Sequence, residues 1–104
     1  MREIGADDFE GVLTGDRPVL VDLWAPWCGP CKAMLPQLEK FAAAHDGKVE
    51  VVKVNVDEHP DLAQQLGVTG VPTLVVYAGG TAVARNVGAL PASKIAALVR
   101  PHLD

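Results

Sequence analysis

The chain has 104 residues, of which 49% are apolar, and a formal net charge of −4. This length predicts a single domain over residues 1–104, and a negative charge without a basic stripe argues against a nucleic-acid partner. No apolar run reaches the roughly 20 residues of a membrane span, so we expect no membrane partner. Because residues 1–8 contain no apolar signal segment, we also expect a cytoplasmic protein.

Apolar periodicity and turn residues predict helices and strands that largely alternate along the chain. In chain order, the predicted elements are an edge strand at 2–4, a helix ending near 15–16, a strand at 19–24, a helix from 28 to about 45, a strand at 49–56, a helix from 60 to 67, strands at 73–77 and 82–87, and a helix that contains 95–99. The run at 19–24 is nearly all apolar, which is typical of a central strand covered on both faces. A strand–helix–strand unit followed by a hairpin and a helix predicts an α/β fold with a mixed sheet.

The only two cysteines, Cys28 and Cys31, lie three positions apart in the segment WCGPCK at 27–32. At the start of a helix this spacing is one turn, which places the two Cα atoms roughly 5–6 Å apart, as a disulfide requires. So small a ring removes little loop entropy and is a poor structural staple. We therefore predict a redox-active disulfide that is repeatedly made and broken.

A metal site is the first alternative for these cysteines. A tetrahedral zinc site needs four ligands, and the three histidines, His45, His59 and His102, lie far apart in the sequence. Haem attachment needs a histidine directly after the second cysteine, where Lys32 stands. We expect no metal.

Asp22 is the one charged residue within the apolar run at 19–24. One interpretation is a solvent-facing side chain on an edge strand. The apolar neighbours favour burial, which would raise the pKa of this carboxyl group and suit it to general acid–base chemistry.

The segment 24–32 (WAPWCGPCK) resembles the active-site segment of the thioredoxin family. Five further matches to the family's pattern occur in the same order and spacing, at Asp22, Pro36, 53–57 (KVNVD), 70–73 (GVPT) and 87–90 (VGAL). The resemblance thus covers essentially the whole chain. It implies the thioredoxin fold, a central mixed β-sheet of four to five strands flanked by about four helices.

The position of the cysteines at a helix start suggests how they divide the chemistry. Free backbone N–H groups and the helix dipole favour a thiolate at Cys28, which we expect to be the nucleophile. Cys31 lies one turn deeper, on the apolar stripe of the helix, so we expect it to be more buried and to resolve the mixed disulfide. The family resemblance implies the same roles. Pro30 stiffens the motif, and the resemblance associates the pair Gly29-Pro30 with reductases.

The resemblance implies roles for three residues outside the motif. It places Asp22 under the disulfide, where the carboxyl group assists proton transfer at Cys31. It makes Lys53 a charge that tunes the proton of Asp22, whereas the sequence alone also allows a solvated lysine on the outer face of its strand. It further implies that the Val71–Pro72 peptide bond is cis and lies against the cysteines.

A flat apolar surface around Cys28 is expected to bind substrates. Its expected members are Trp27, Gly29, Val71, Pro72, Gly88 and Ala89. The glycines would let another chain approach closely, although Gly88 is equally well explained as a turn residue before the last helix. Trp24 is interpreted as core packing beside the site.

We therefore predict a general protein-disulfide reductase that contributes to cell redox homeostasis. The resemblance implies protein disulfide substrates, no bound cofactor, and recycling by thioredoxin reductase with NADPH as the electron source; we expect a monomer. Two alternatives stay open: a thiol oxidant or isomerase, and a binding module whose surface holds a partner. The pair Gly29-Pro30 argues against the first, and the presence of both cysteines argues against binding as the only role.

Overall fold

The computed structural model describes residues 1–103 and shows one five-stranded sheet with helices on both faces. Its elements in chain order are β1 (Arg2–Glu3), α1 (Ala6–Leu13), β2 (Val19–Trp24), α2 (Gly29–Ala44), β3 (Glu50–Asn55), α3 (Pro60–Gln65), β4 (Thr73–Ala78), β5 (Thr81–Val87) and α4 (Ala92–Val99). A short 3-10 turn at Arg100–His102 follows α4. The predicted order of elements is confirmed.

The strands are arranged in the order β1-β3-β2-β4-β5, so β2 lies in the middle of the sheet. β1, β3 and β2 are parallel, whereas β4 runs antiparallel to β2 and β5 runs antiparallel to β4. Gly79 and Gly80 both have positive φ angles, of 61° and 82°, and form the tight turn between β4 and β5. The predicted mixed sheet is therefore confirmed.

The alternation of side chains along β2 divides the core into two layers. Val21 and Leu23 point to one face, where they pack with Phe9 of α1 and Leu62 of α3. Leu20 points to the opposite face, into a cluster formed with residues of α2 and α4. Asp22 has the same parity as Leu20, so it faces the layer that contains α2. This parity brings a carboxylate beneath the helix that carries the cysteines.

Candidate active site

Cys28 and Cys31 lie at the junction between β2 and α2. Cys28 is the N-cap residue of α2, and its sulfur accepts a hydrogen bond from the backbone N–H of Cys31 at 3.1 Å. The two residues form a disulfide, with their Cα atoms 5.3 Å apart, as the one-turn spacing predicts. Because the first N–H groups of a helix have no partners within it, they stabilise negative charge on a sulfur at this position.

The expected difference in burial between the two cysteines is not found. Cys28 is 3% exposed and Cys31 is 4% exposed. Both pack with Ala25, and Val71 contacts the same cluster. The prediction that Cys31 is the more buried residue is thus wrong for the disulfide-bonded pair, because one helical turn and a shared bond hold both sulfurs in one apolar pocket. The asymmetry lies instead in hydrogen bonding, since Cys28 accepts the helix N–H.

Asp22 is buried, with 3% of the residue exposed, so the solvent-facing interpretation is wrong. Burial raises the pKa of its carboxyl group to about 7, while the charge of Lys53 lowers the pKa and that of Glu3 raises it. Its Oδ1 atom accepts no hydrogen bond from any residue between 1 and 103. Asp22 and Cys31 both line one small cavity, of about 120 Å³. The carboxyl group of Asp22 and the second cysteine thus border the same cavity.

Lys53 belongs to the same cavity and is only partly exposed to solvent. It lies opposite Asp22 in the register of β2 and β3. Its ammonium group is 4.8 Å from the centroid of the Trp24 ring and 3.9 Å from Oε1 of Glu3. The structure thus favours a lysine that acts on Asp22 over a fully solvated one, and Trp24 packs beside the site as expected.

The loop before β4 lies next to the disulfide. The Val71–Pro72 peptide bond is cis, as the resemblance implies, and Val71 packs against the cysteine cluster. The carbonyl of Pro72 accepts a hydrogen bond of 2.9 Å from the N–H of Gly88. This bond joins the two loops that were expected to form the substrate surface.

The sequence of this chain is similar to those of known proteins. The thioredoxin family model matches residues 1–101. The chain belongs to the thioredoxin family. It is 47% identical to Thioredoxin 1 of Nostoc sp. over 92 residues, which cover 88% of this chain and 86% of that protein. It is also 47% identical to thioredoxin of Streptomyces clavuligerus over 102 residues, which cover 97% of this chain and 92% of that protein.

A solved structure of the family shows that the similarity extends to the fold. The crystal structure of Malassezia sympodialis thioredoxin (Mala s 13) matches with a TM-score of 0.89 and 38% identity, covering 98% of this chain and 90% of that one. The predicted thioredoxin fold is therefore confirmed. With the cysteine pair bonded at the helix start, the chain is a thiol–disulfide oxidoreductase that acts by reversible dithiol–disulfide exchange.

The expected substrate surface of this thioredoxin-family chain is only partly exposed. Trp27 is 70% exposed, and its indole N–H donates a hydrogen bond of 3.3 Å to Asp57, a residue of the matched segment 53–57 to which the sequence analysis gave no role in the site. Gly29 and Ala89 are exposed and Gly88 is half-buried, whereas Pro72 is buried. Pro72 therefore presents little surface to a partner.

Val87, the first residue of the matched segment 87–90, is a second surface residue to which the sequence analysis gave no role in the site. It is 60% exposed at the end of β5, directly before Gly88, and pairs with Thr73. A Cβ atom added at Gly70 would lie 3.6 Å from its side chain, so Val87 borders the Val71–Pro72 loop. The available signal was an apolar residue beside a glycine at the end of a strand.

Within residues 1–103, no group of three or more His, Cys, Asp or Glu side chains is placed to hold a metal ion. In the same part of the chain, no helix has both the length and the apolar character that crossing a membrane requires.

Proposed function

We propose that the chain is a general protein-disulfide reductase in which Cys28 is the nucleophile and Cys31 the resolving cysteine. The observation that carries this proposal is the hydrogen bond from the backbone of Cys31 to the sulfur of Cys28 at the N-terminus of α2. The same N–H group stabilises a thiolate at Cys28 once the disulfide is reduced. Cys31 caps no helix and faces the cavity that contains Asp22.

The reaction proceeds in two exchange steps. The Cys28 thiolate attacks one sulfur of a substrate disulfide, forms a mixed disulfide and releases the other sulfur as a thiolate. Cys31 then transfers its proton to the Asp22 carboxylate and attacks the sulfur of Cys28. This forms the Cys28–Cys31 disulfide and releases the second substrate thiolate, so two electrons pass from the chain to the substrate.

Asp22 is suited to this proton transfer because burial raises the pKa of its carboxyl group to about 7. At neutral pH both its acid and base forms are populated, which is the condition for efficient general acid–base catalysis. Lys53 stabilises the carboxylate that accepts the proton. In reverse, the protonated acid returns a proton to the Cys31 thiolate.

Substrate binding involves the loops around the disulfide. Trp27 supplies exposed apolar area, and the backbone of Val71 offers polar groups beside the sulfurs to an extended peptide. Gly29, Gly88 and Ala89 leave room for that peptide, since none carries a side chain larger than a methyl group. Pro72 holds Gly88 in place through its carbonyl group.

The proposal includes a partner that restores the dithiol. The cysteines themselves carry the two electrons, so the chain needs no bound cofactor, and a thioredoxin reductase would return the electrons from NADPH. One chain carries both cysteines and Asp22, so we propose that a monomer suffices. A cytoplasmic location suits this role, because that compartment keeps thiols reduced.

Insulin reduction tests the proposal directly. With NADPH and a thioredoxin reductase, the chain should catalyse the reduction of insulin disulfides, and a Cys28→Ser variant should be inactive. A Cys31→Ser variant should instead accumulate covalent insulin adducts through Cys28. Adducts formed in equal amount by Cys28→Ser would contradict the assigned roles, and a reduction potential near that of strong thiol oxidants would favour the oxidant alternative.

A further inference from the structure

We propose that Glu3 is a positioning residue of the active site, which sets how strongly Lys53 acts on Asp22. Its carboxylate holds the Lys53 ammonium group and the Trp24 indole beside the cavity between Asp22 and Cys31. This inference rests on the proposed proton transfer by Asp22. It concerns an edge-strand residue that no motif in the sequence singles out.

The sheet places the three charged residues in one row. Glu3 on β1 is the register partner of Lys53 on β3, and Lys53 is the register partner of Asp22 on β2. Because register partners on neighbouring parallel strands point to the same face, all three side chains lie on the α2 side of the sheet. Lys53 is thus flanked by two carboxylates, one buried and one near the surface.

Glu3 makes two contacts that fix the other members of the row. Both of its carboxylate oxygens accept hydrogen bonds from the Trp24 indole N–H, each at 3.1 Å. Its Oε1 is 3.9 Å from the ammonium group of Lys53, which lies over the Trp24 ring. Glu3, Lys53 and Trp24 therefore form one connected cluster, and the last two line the cavity.

The cluster makes the two carboxylates compete for one cation. The ammonium group of Lys53 is held towards Glu3 on the outer side of the row, which limits how far it neutralises Asp22. The two charges act on Asp22 in opposite directions, since Lys53 favours its ionised form and Glu3 disfavours it. Removing the charge of Glu3 should therefore stabilise the Asp22 carboxylate, by ending the repulsion and by releasing Lys53.

The groups that face Asp22 from each neighbouring element are few. α2 contributes Cys31 and Lys32 to the cavity, and β4 places the apolar Leu74 opposite Asp22. Farther out, Glu39 of α2 and Asp46 in the turn after α2 line a groove of about 660 Å³ that also contains Glu3 and Lys53. Glu3 differs from these two acids because it alone contacts both Lys53 and Trp24.

The decisive variant is Glu3→Gln, which removes the charge and keeps an oxygen that can accept the Trp24 hydrogen bond. Glu10→Gln on α1 is the matched control, because it removes the same charge from an exposed helix position. The Asp22 carboxyl group is titrated by NMR in the disulfide form of each variant. A urea unfolding curve confirms that each variant is folded.

We expect the titration midpoint of Asp22 to fall by about 0.5 in Glu3→Gln at low ionic strength and to stay unchanged in Glu10→Gln. The acid limb of the pH–rate profile for insulin reduction should move to lower pH by the same amount. Glu3→Asp, which keeps the charge, should restore most of the wild-type midpoint. Because the Glu3 side chain is 42% exposed, about 1 M salt should reduce the difference.

Several results would overturn the inference. An unchanged Asp22 midpoint in Glu3→Gln would show that Glu3 does not act on Asp22. A shifted midpoint with an unchanged pH–rate profile would show that the cluster does not affect the reaction. A wild-type chain that fails to reduce insulin would contradict the proposed function instead, and the NMR titration would still decide whether Glu3 acts on Asp22.

Discussion

Asp22 and Lys53 are register partners on the two central parallel strands, and both line the cavity beside Cys31. Burial raises the pKa of the Asp22 carboxyl group to about 7, and Lys53 opposes that rise. The buried acid therefore changes its charge near neutral pH, next to Cys31, the cysteine that we propose loses a proton to it. This relationship connects the stability of the fold to the chemistry of the site.

The first prediction concerns stability against pH. The pKa of Asp22 rises from 3.8 in an unfolded chain to about 7 in the folded one, so the folded state binds the proton more tightly. This tighter proton binding by Asp22 contributes on the order of 4 kcal/mol to the free energy of unfolding. The contribution is complete below pH 3.8 and is lost as the pH rises to about 7.

An Asp22→Asn variant isolates that contribution. In the disulfide form, its free energy of unfolding should be close to the wild-type value at pH 4. At pH 8 the variant should be the more stable protein, by an amount on the order of 4 kcal/mol. Urea denaturation at several pH values measures the free energy of unfolding of the wild type and the variant. If the two free energies changed in parallel from pH 4 to pH 8, the prediction would be contradicted.

The second prediction concerns the rate of the resolving step. Asp22→Asn removes the group proposed to accept the proton of Cys31, so this step should slow by at least about tenfold at pH 7. The wild-type rate should change with an apparent pKa near that of Asp22, about 7, and the variant should lack this transition. Rapid-mixing measurements of mixed-disulfide decay provide the rates; an unchanged pH–rate profile would remove the proposed role.

The third prediction concerns Val87 at the substrate surface. Val87→Ser should raise KM for a protein disulfide substrate roughly fivefold, because about 1 kcal/mol of apolar burial on binding is lost. Val83→Ser is the matched control. Val83 is also exposed on β5, but its neighbours Ala82 and Ala84 pair with Tyr77 and Val76, at the end of β4 that is far from the Val71–Pro72 loop. Equal effects of the two substitutions on KM would argue against a binding role for Val87.

The fourth prediction concerns the backbone of the loop that contains Gly88. Its φ angle is 107°, a conformation that side chains with a Cβ rarely adopt, although a Cβ there would meet no heavy atom within 4 Å outside residues 87–89. Gly88→Ala should therefore destabilise the protein by about 1–2 kcal/mol through backbone conformation alone.

Gly11→Ala in α1 is the contrasting substitution. A Cβ atom at Gly11 likewise meets nothing within 4 Å apart from its chain neighbours and the backbone of its own helix. Because the residue is helical, alanine should stabilise the protein by about 0.5–1 kcal/mol. Urea denaturation of both variants gives the comparison. If Gly88→Ala were as stable as the wild type, the glycine would not be required by the turn.

The local chemistry of the site was largely predictable from the sequence. The spacing of Cys28 and Cys31 specifies a one-turn disulfide, because helix geometry depends only on neighbouring residues. The position of Asp22 within an apolar run predicts its burial, since strands with continuous apolar sequence are covered on both faces. These conclusions need no knowledge of contacts between distant segments.

Other features of the site could not be predicted from sequence patterns. The equal burial of the two cysteines depends on Ala25 and Val71, which reach the pair from the strand end before α2 and the loop before β4. The exposure of Val87 depends on how the end of β5 lies beside Gly70. Neither follows from periodicity, because both arise where separate loops meet.

By itself, the amino-acid order determined the sequence of strands and helices, the redox pair at a helix start and the burial of one carboxyl group. Only the tertiary structure decided that Glu3, Lys53 and Asp22 stand in one row beside the cavity. The physical reason is that parallel register between distant strands is set by the packing of the whole sheet and its helices. A change of one residue in that register would turn a strand's side chains to the opposite face.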